Sequence, residues 1–75
     1  MNRGHLYKHK NMVDVCFMPS KIFYVKEKGI YKIQGTWYSD MPWRDPMCMG
    51  FTDKFELTRK QITEWRWVPE KKTKQ

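Results

Sequence analysis

No run of 18 consecutive apolar residues occurs in this 75-residue sequence, so a membrane-spanning helix is not expected. The opening Met1-Asn2-Arg3-Gly4-His5 leads into no apolar segment of the kind a secretory leader carries, and a cytoplasmic location is the expectation. Cysteine is scarce: Cys16 and Cys48 are too few for the multi-bridge framework of small secreted scaffolds, and reduced thiols are expected. Glycine is scarce as well, and its four copies are not grouped as a phosphate-cradling loop. The chain also lacks the poverty in large apolar groups that marks disorder, because 16% of its residues are aromatic. At this length there is room for one small domain and none for a many-layered catalytic fold.

Acid is the other shortage: 8 Asp and Glu stand against 15 Lys and Arg, a formal charge of +7. The excess is concentrated at the ends. Residues 1–10 carry Arg3, Lys8 and Lys10 with no acid, and residues 70–75 carry Lys71, Lys72 and Lys74 against Glu70. The reading is therefore a basic N-terminal arm (1–10), a folded body (11–69) and a basic C-terminal tail (70–75). Basic arms of this kind raise affinity for phosphate backbones and equally keep an apolar-rich domain soluble.

Within the body the hydrophobic period is two. Val13, Val15 and Phe17 alternate along one predicted strand, which Pro19-Ser20 is expected to stop because proline has no ladder donor. Ile22-Phe23-Tyr24-Val25-Lys26 is β-branched and aromatic and predicts a second strand. Glu27-Lys28-Gly29 reads as a hairpin loop, with Gly29 available for positive φ. Tyr31, Ile33, Gly35 and Trp37 alternate with Lys32, Gln34 and Thr36 in the clearest strand, and Gly35 marks a bend or bulge. Residues 39–48 hold two prolines and fit no period, so they form the one long connection. A fourth strand runs from about Met49 to Leu57, with Asp53 interrupting its apolar phase, either in a bulge or between two short strands about Thr52-Asp53-Lys54. Thr58-Arg59-Lys60-Gln61 matches a capping box and opens one helical turn. Trp65-Arg66-Trp67-Val68 is the last short strand. The expected core is Val13, Val15, Phe17, Phe23 or Tyr24, Val25, Tyr31, Ile33, Trp37, Phe51, Phe55, Leu57, Ile62 and Trp65.

Five short strands, one longer loop and a helical turn before the last strand make an all-β order that resembles the SH3-like small barrels (the Tudor, KOW and Sm-type group), with an OB-type barrel as the competing fold. The hairpin around Gly29 and the segment Thr58 to Val68 carry that resemblance, which covers about residues 7–68. The acidic-aromatic loop of proline-binding SH3 domains and the Gly-rich KOW turn are both missing. The chain also looks like the short, Lys- and aromatic-rich accessory proteins of tailed bacteriophages; that resemblance implies a host protein as partner and the host cytoplasm as its place of action.

Little in the sequence points to catalysis. Cys16 and Cys48 are the nucleophile candidates, and both histidines, His5 and His9, lie on the arm. The order His-x3-His-x6-Cys-x31-Cys lacks the short Cys pair of a zinc site, so no metal and no cofactor are expected. Asp40 and Asp45 share a loop with Arg44, which opposes an acidic cation site. What stands out is a surplus of large side chains beyond the core. Met41, Trp43 and Met47 lie on the long loop, where Trp43 is either a lid over one end of the barrel or a contact residue. The primary expectation is a non-catalytic protein-binding module using Tyr38, Met41, Trp43, Arg44, Met47, Arg66 and Trp67. The alternative is a nucleic-acid-binding barrel using Lys8, Lys10, Lys21, Tyr24, Lys26, Lys71, Lys72 and Lys74, with aromatic stacking beside phosphate contacts. A third reading sets Tyr38, Trp43 and Asp40 as an aromatic cage for a methylated lysine.

Overall fold

The computed structural model describes residues 1–69; the basic tail, 70–75, lies outside the described residues. The chain is all-β. Strands β1 (Tyr7–His9), β2 (Val15–Val25), β3 (Ile30–Ser39) and β4 (Met47–Thr58) are followed by a single helical turn, α1 (Arg59–Ile62), and by β5 (Trp65–Trp67). All pairings are antiparallel, in the order β4-β3-β2-β1-β5. Tyr7–His9, inside the segment read as an arm, is therefore a strand lying between β2 and β5. Three residues are too few to show a period, which is why the sequence pattern did not reveal it.

The Val13–Phe17 and Ile22–Lys26 segments, expected as two strands, are one. Pro19 does not end β2. The register against β3 slips by one residue between Pro19 and Lys21, leaving Ser20 as the extra residue of a bulge. The Pro19 carbonyl accepts from the Gly4 N–H at 2.9 Å, so the side of the missing proline donor lies outside the β2–β3 ladder, and the Ser20 hydroxyl donates to the Gln34 carbonyl at 3.2 Å. Pro19 faces Gly35 across the ladder. A Cβ at Gly35 would collide with the Met18 carbonyl oxygen and stand 2.7 Å from Phe17 Cζ, so the close approach of β2 and β3 requires glycine here. The β2–β3 hairpin turns at residues 26–29, where Gly29 has φ +63° and its N–H reaches the Val25 carbonyl at 2.9 Å.

The irregularity in β4 lies a few residues before the expected one. Asp53 pairs in register with Gly35 and accepts a hydrogen bond from Trp37 Nε1 at 3.3 Å. The register slips instead between Thr36 and Tyr38, where Trp37 alone on β3 faces Met49, Gly50 and Phe51. At the end of β4 the capping box is formed: Gln61 N–H donates to Thr58 Oγ1 at 3.2 Å, and Thr58 N–H to Gln61 Oε1 at 2.8 Å.

Because β2 is central, both of its faces are covered near residue 17. Phe17, fully buried, meets the rings of Trp37 (4.9 Å), Phe55 (5.0 Å) and Trp65 (6.1 Å). Cys16, on the opposite face, packs with Leu6, Tyr38 and Met18. Trp65 of β5 stacks on Phe55 of β4 at 5.6 Å with nearly parallel rings, although these strands are the two edges of the sheet. The sheet therefore curls until its edges meet across the Phe17 face. The described residues measure 43 × 21 × 17 Å, so the long strands run well past this core. That length explains the core residues that are absent from it. Val13, Phe23, Tyr24 and Phe51 are exposed, whereas Leu6, Tyr7 and Tyr38 are buried. Alternation places a residue on a face but does not say whether anything covers that face.

Candidate functional site

The loop between β3 and β4 is pinned at both ends and bare in the middle. At its start Asp40, 8% exposed, accepts a hydrogen bond from Lys8 Nζ at 2.7 Å, and its N–H reaches the Asp14 carbonyl at 2.9 Å. At its end Pro46 is fully buried. Between these anchors Trp43 is 76% exposed and Arg44 is exposed, so Trp43 is not a lid. Met41 is half-buried and Met47 is exposed.

The other residues expected at a protein contact are dispersed. Tyr38 is buried beside Cys16, and burial first, then the neighbouring Cys48 and Cys16 thiols, raises its phenol above the ordinary value of 10.0. It is therefore an interior residue, which also removes it from the methyl-lysine cage. Arg66 lines a hollow of about 510 Å³ with Asp40, Pro42 and Lys8; neither Tyr38 nor Trp43 lines it. Trp67 is exposed and lies against His5, with ring centroids 5.0 Å apart.

A more continuous surface lies on β4, where sequence reading had singled out Met47 alone. Among the described residues β4 pairs with β3 on one side and with no strand on the other. Its first half, Met47-Cys48-Met49-Gly50-Phe51-Thr52, carries no charge, whereas Asp53, Lys54 and Glu56 follow. Met47 pairs with Ser39 and Phe51 adjoins the Thr36–Thr52 pair, so both fall on the Trp37 side of the sheet, with Met49 between them at the bulge. All three are exposed, Phe51 to 61%. An unpaired strand edge offers a row of N–H and C=O groups, and folded proteins ordinarily blunt such an edge with charge or proline. This one is uncharged over six residues and is interrupted only by the bulge at Met49, Gly50 and Phe51. The signal was present in the sequence as that uncharged hexad, but period-two reading assigned Phe51 inward.

The candidates for phosphate contact divide. Lys8 is bound to Asp40 as above, and Lys10 Nζ sits 2.9 Å from Glu64 Oε2, a bond that lowers the Glu64 carboxyl below its ordinary 4.5. Both arm lysines thus have carboxylate partners within the fold. Tyr24 pairs its ring with Tyr31 at 4.7 Å, on the face opposite Phe23. Lys21 and Lys26 are exposed, and Lys71, Lys72 and Lys74 lie outside the described residues.

Cys16 is buried, Cys48 is exposed, and neither is in a disulfide; Tyr38 lies between them in the cross-strand row. Among the described residues no three His, Cys, Asp or Glu side chains come together as metal ligands. His9 makes an edge-to-face contact with Trp65 at 5.2 Å. No helix among the described residues is long and apolar enough to cross a membrane. Comparison with protein-family models, with curated proteins and with solved structures finds no match to this chain.

Proposed function

We propose that this chain is a non-catalytic binding module of SH3-like architecture that takes up an extended segment of a partner protein along the open edge of β4. The strand order, the curl that brings Trp65 onto Phe55, and the helical turn before the last strand support the architecture. The observation that carries the binding mode is the uncharged stretch Met47–Thr52, whose outer edge meets no strand among the described residues, with Met47, Met49 and Phe51 exposed. A strand added there gains main-chain hydrogen bonds from the edge, and alternate side chains gain apolar contact with residues that adapt to varied shapes. Trp43 and Arg44, residue types enriched at binding hot spots, extend the surface from the adjoining loop. The resemblance to phage accessory proteins makes the partner a host protein and the effect inhibition or redirection of it.

The test is selection of binders from a random-peptide display library, followed by affinity measurement on wild type, Phe51→Lys and Met49→Lys. Selected peptides should lose roughly tenfold or more in affinity on either variant, the size of a hot-spot loss. In wild type their amide chemical-shift changes should concentrate at Met47–Thr52. Peptides that bind both variants as tightly as wild type would exclude β4 as the site.

A further inference from the structure

The end of the sheet remote from Trp43 carries a second surface of a different character. Lys21, Gln34 and Lys54 form one cross-strand row, and Phe23, Lys32 and Glu56 form the next. Directly paired residues project to the same face, so these six side chains share the side opposite Tyr24, Tyr31 and Ile33. On that face Phe23 is 60% exposed. Its ring stands between two shallow hollows. One, of about 400 Å³, is bordered by Lys32, Gln34, Lys54 and Glu56; the other, of about 270 Å³, is bordered by Arg3 and Lys21. Four cations therefore surround one open aromatic ring, and the acid within the group, Glu56, lies 3.9 Å from Lys32. Among the described residues Lys21 and Lys54 have no carboxylate partner.

From this arrangement we infer that the Phe23 face binds single-stranded nucleic acid, independently of the β4 edge. One unstacked base lies on the Phe23 ring, and the phosphates on either side of it meet Arg3 and Lys21 in one hollow and Lys32 and Lys54 in the other. Gln34 offers an amide donor and acceptor to a base edge. An exposed sheet face with an aromatic platform between lysines suits a strand whose bases are free to stack. A duplex keeps its bases inside and leaves the ring without a partner. An acidic peptide matches the charge but not the platform.

Fluorescence anisotropy of labelled 12-nucleotide oligo-dT and oligo-U, titrated with the full chain over a range of salt, tests the inference. The same-length duplex and a poly-glutamate peptide are the comparison ligands. Single strands should bind at low salt and more tightly than either comparison ligand. Phe23→Ala should weaken them by roughly tenfold, the scale of one lost base stack. Phe23→Trp should retain binding while Phe23→Leu loses it, a contrast that a fold defect does not produce. The combined Lys21→Gln, Lys32→Gln and Lys54→Gln variant should flatten the log–log salt slope by about 2, at roughly 0.7 per single-strand phosphate contact. Absence of binding at low salt overturns the inference. So does Phe23→Leu matching wild type, or poly-glutamate binding as tightly as the oligonucleotides.

Discussion

Phe17 and Gly35 occupy one space: the Phe17 ring tip lies 2.7 Å from where a Cβ on Gly35 would stand, with the Met18 carbonyl oxygen closer still. The central ring of the core can sit as it does because the strand beside it has no side chain there. Gly35→Ala must push apart β2 and β3, since backbone cannot rotate away as a side-chain tip does. The expected cost is about 1–3 kcal/mol or somewhat more, typical of overpacking. Thermal melting checks it, and for a domain this size each 1 kcal/mol lowers Tm by roughly 4–8 °C.

Phe17 and Trp43 should behave as opposites. Phe17 is fully buried among three aromatic rings, and Phe17→Ala should cost about 3–5 kcal/mol, enough to unfold most molecules of a marginal domain. Trp43 stands out from the loop, and Trp43→Ala should move stability by less than about 0.5 kcal/mol. Denaturant melts of the two variants make the comparison.

The thiols should differ in rate. Cys48 is exposed on the edge strand and should react with a small disulfide reagent in the native state, whereas Cys16, 1% exposed, should react only when the sheet opens. The measurement is stoichiometry against time, one thiol fast and one slow, with both fast in denaturant. Two fast thiols in the native protein would place Cys16 outside the core.

Tyr38 links stability to alkaline pH. Burial holds its phenol above 10.0, so the folded chain keeps this proton after the unfolded chain has begun to lose it. The stabilisation is complete below pH 10 and declines as pH rises through the folded value. Tyr38→Phe should flatten this alkaline limb in stability measured against pH, while wild type shows a phenolate absorbance step displaced upward.

The helical turn rests on its cap. Thr58→Ala removes the hydroxyl that accepts from the Gln61 N–H and should cost about 1 kcal/mol. The loss should be visible as faster amide exchange at Gln61, with the shift in global melting small.

Much of the architecture was written locally. The alternation of Tyr31, Ile33 and Trp37 set one face of β3, Gly29 set the hairpin, and Thr58 with Gln61 set the helical turn, because a period of two, a positive φ and a capping box each depend on neighbours a few residues away. What the chain does with its faces was decided only by tertiary structure. Pro19 continues a strand because its carbonyl, and with it the side of the missing N–H, faces Gly4 outside the β2–β3 ladder, and Tyr7–His9 becomes a strand because β2 and β5 supply partners on both sides. Phe51, and Phe23 or Tyr24, read as inward by phase, yet all three are exposed. Conversely Tyr38, in the polar phase of β3, is buried because Leu6 and Cys16 cover the second face. Alternation fixes direction relative to the backbone; whether that direction meets protein or water depends on how far the sheet curls, and contacts such as Trp65 on Phe55 set that curl across the whole width of the sheet.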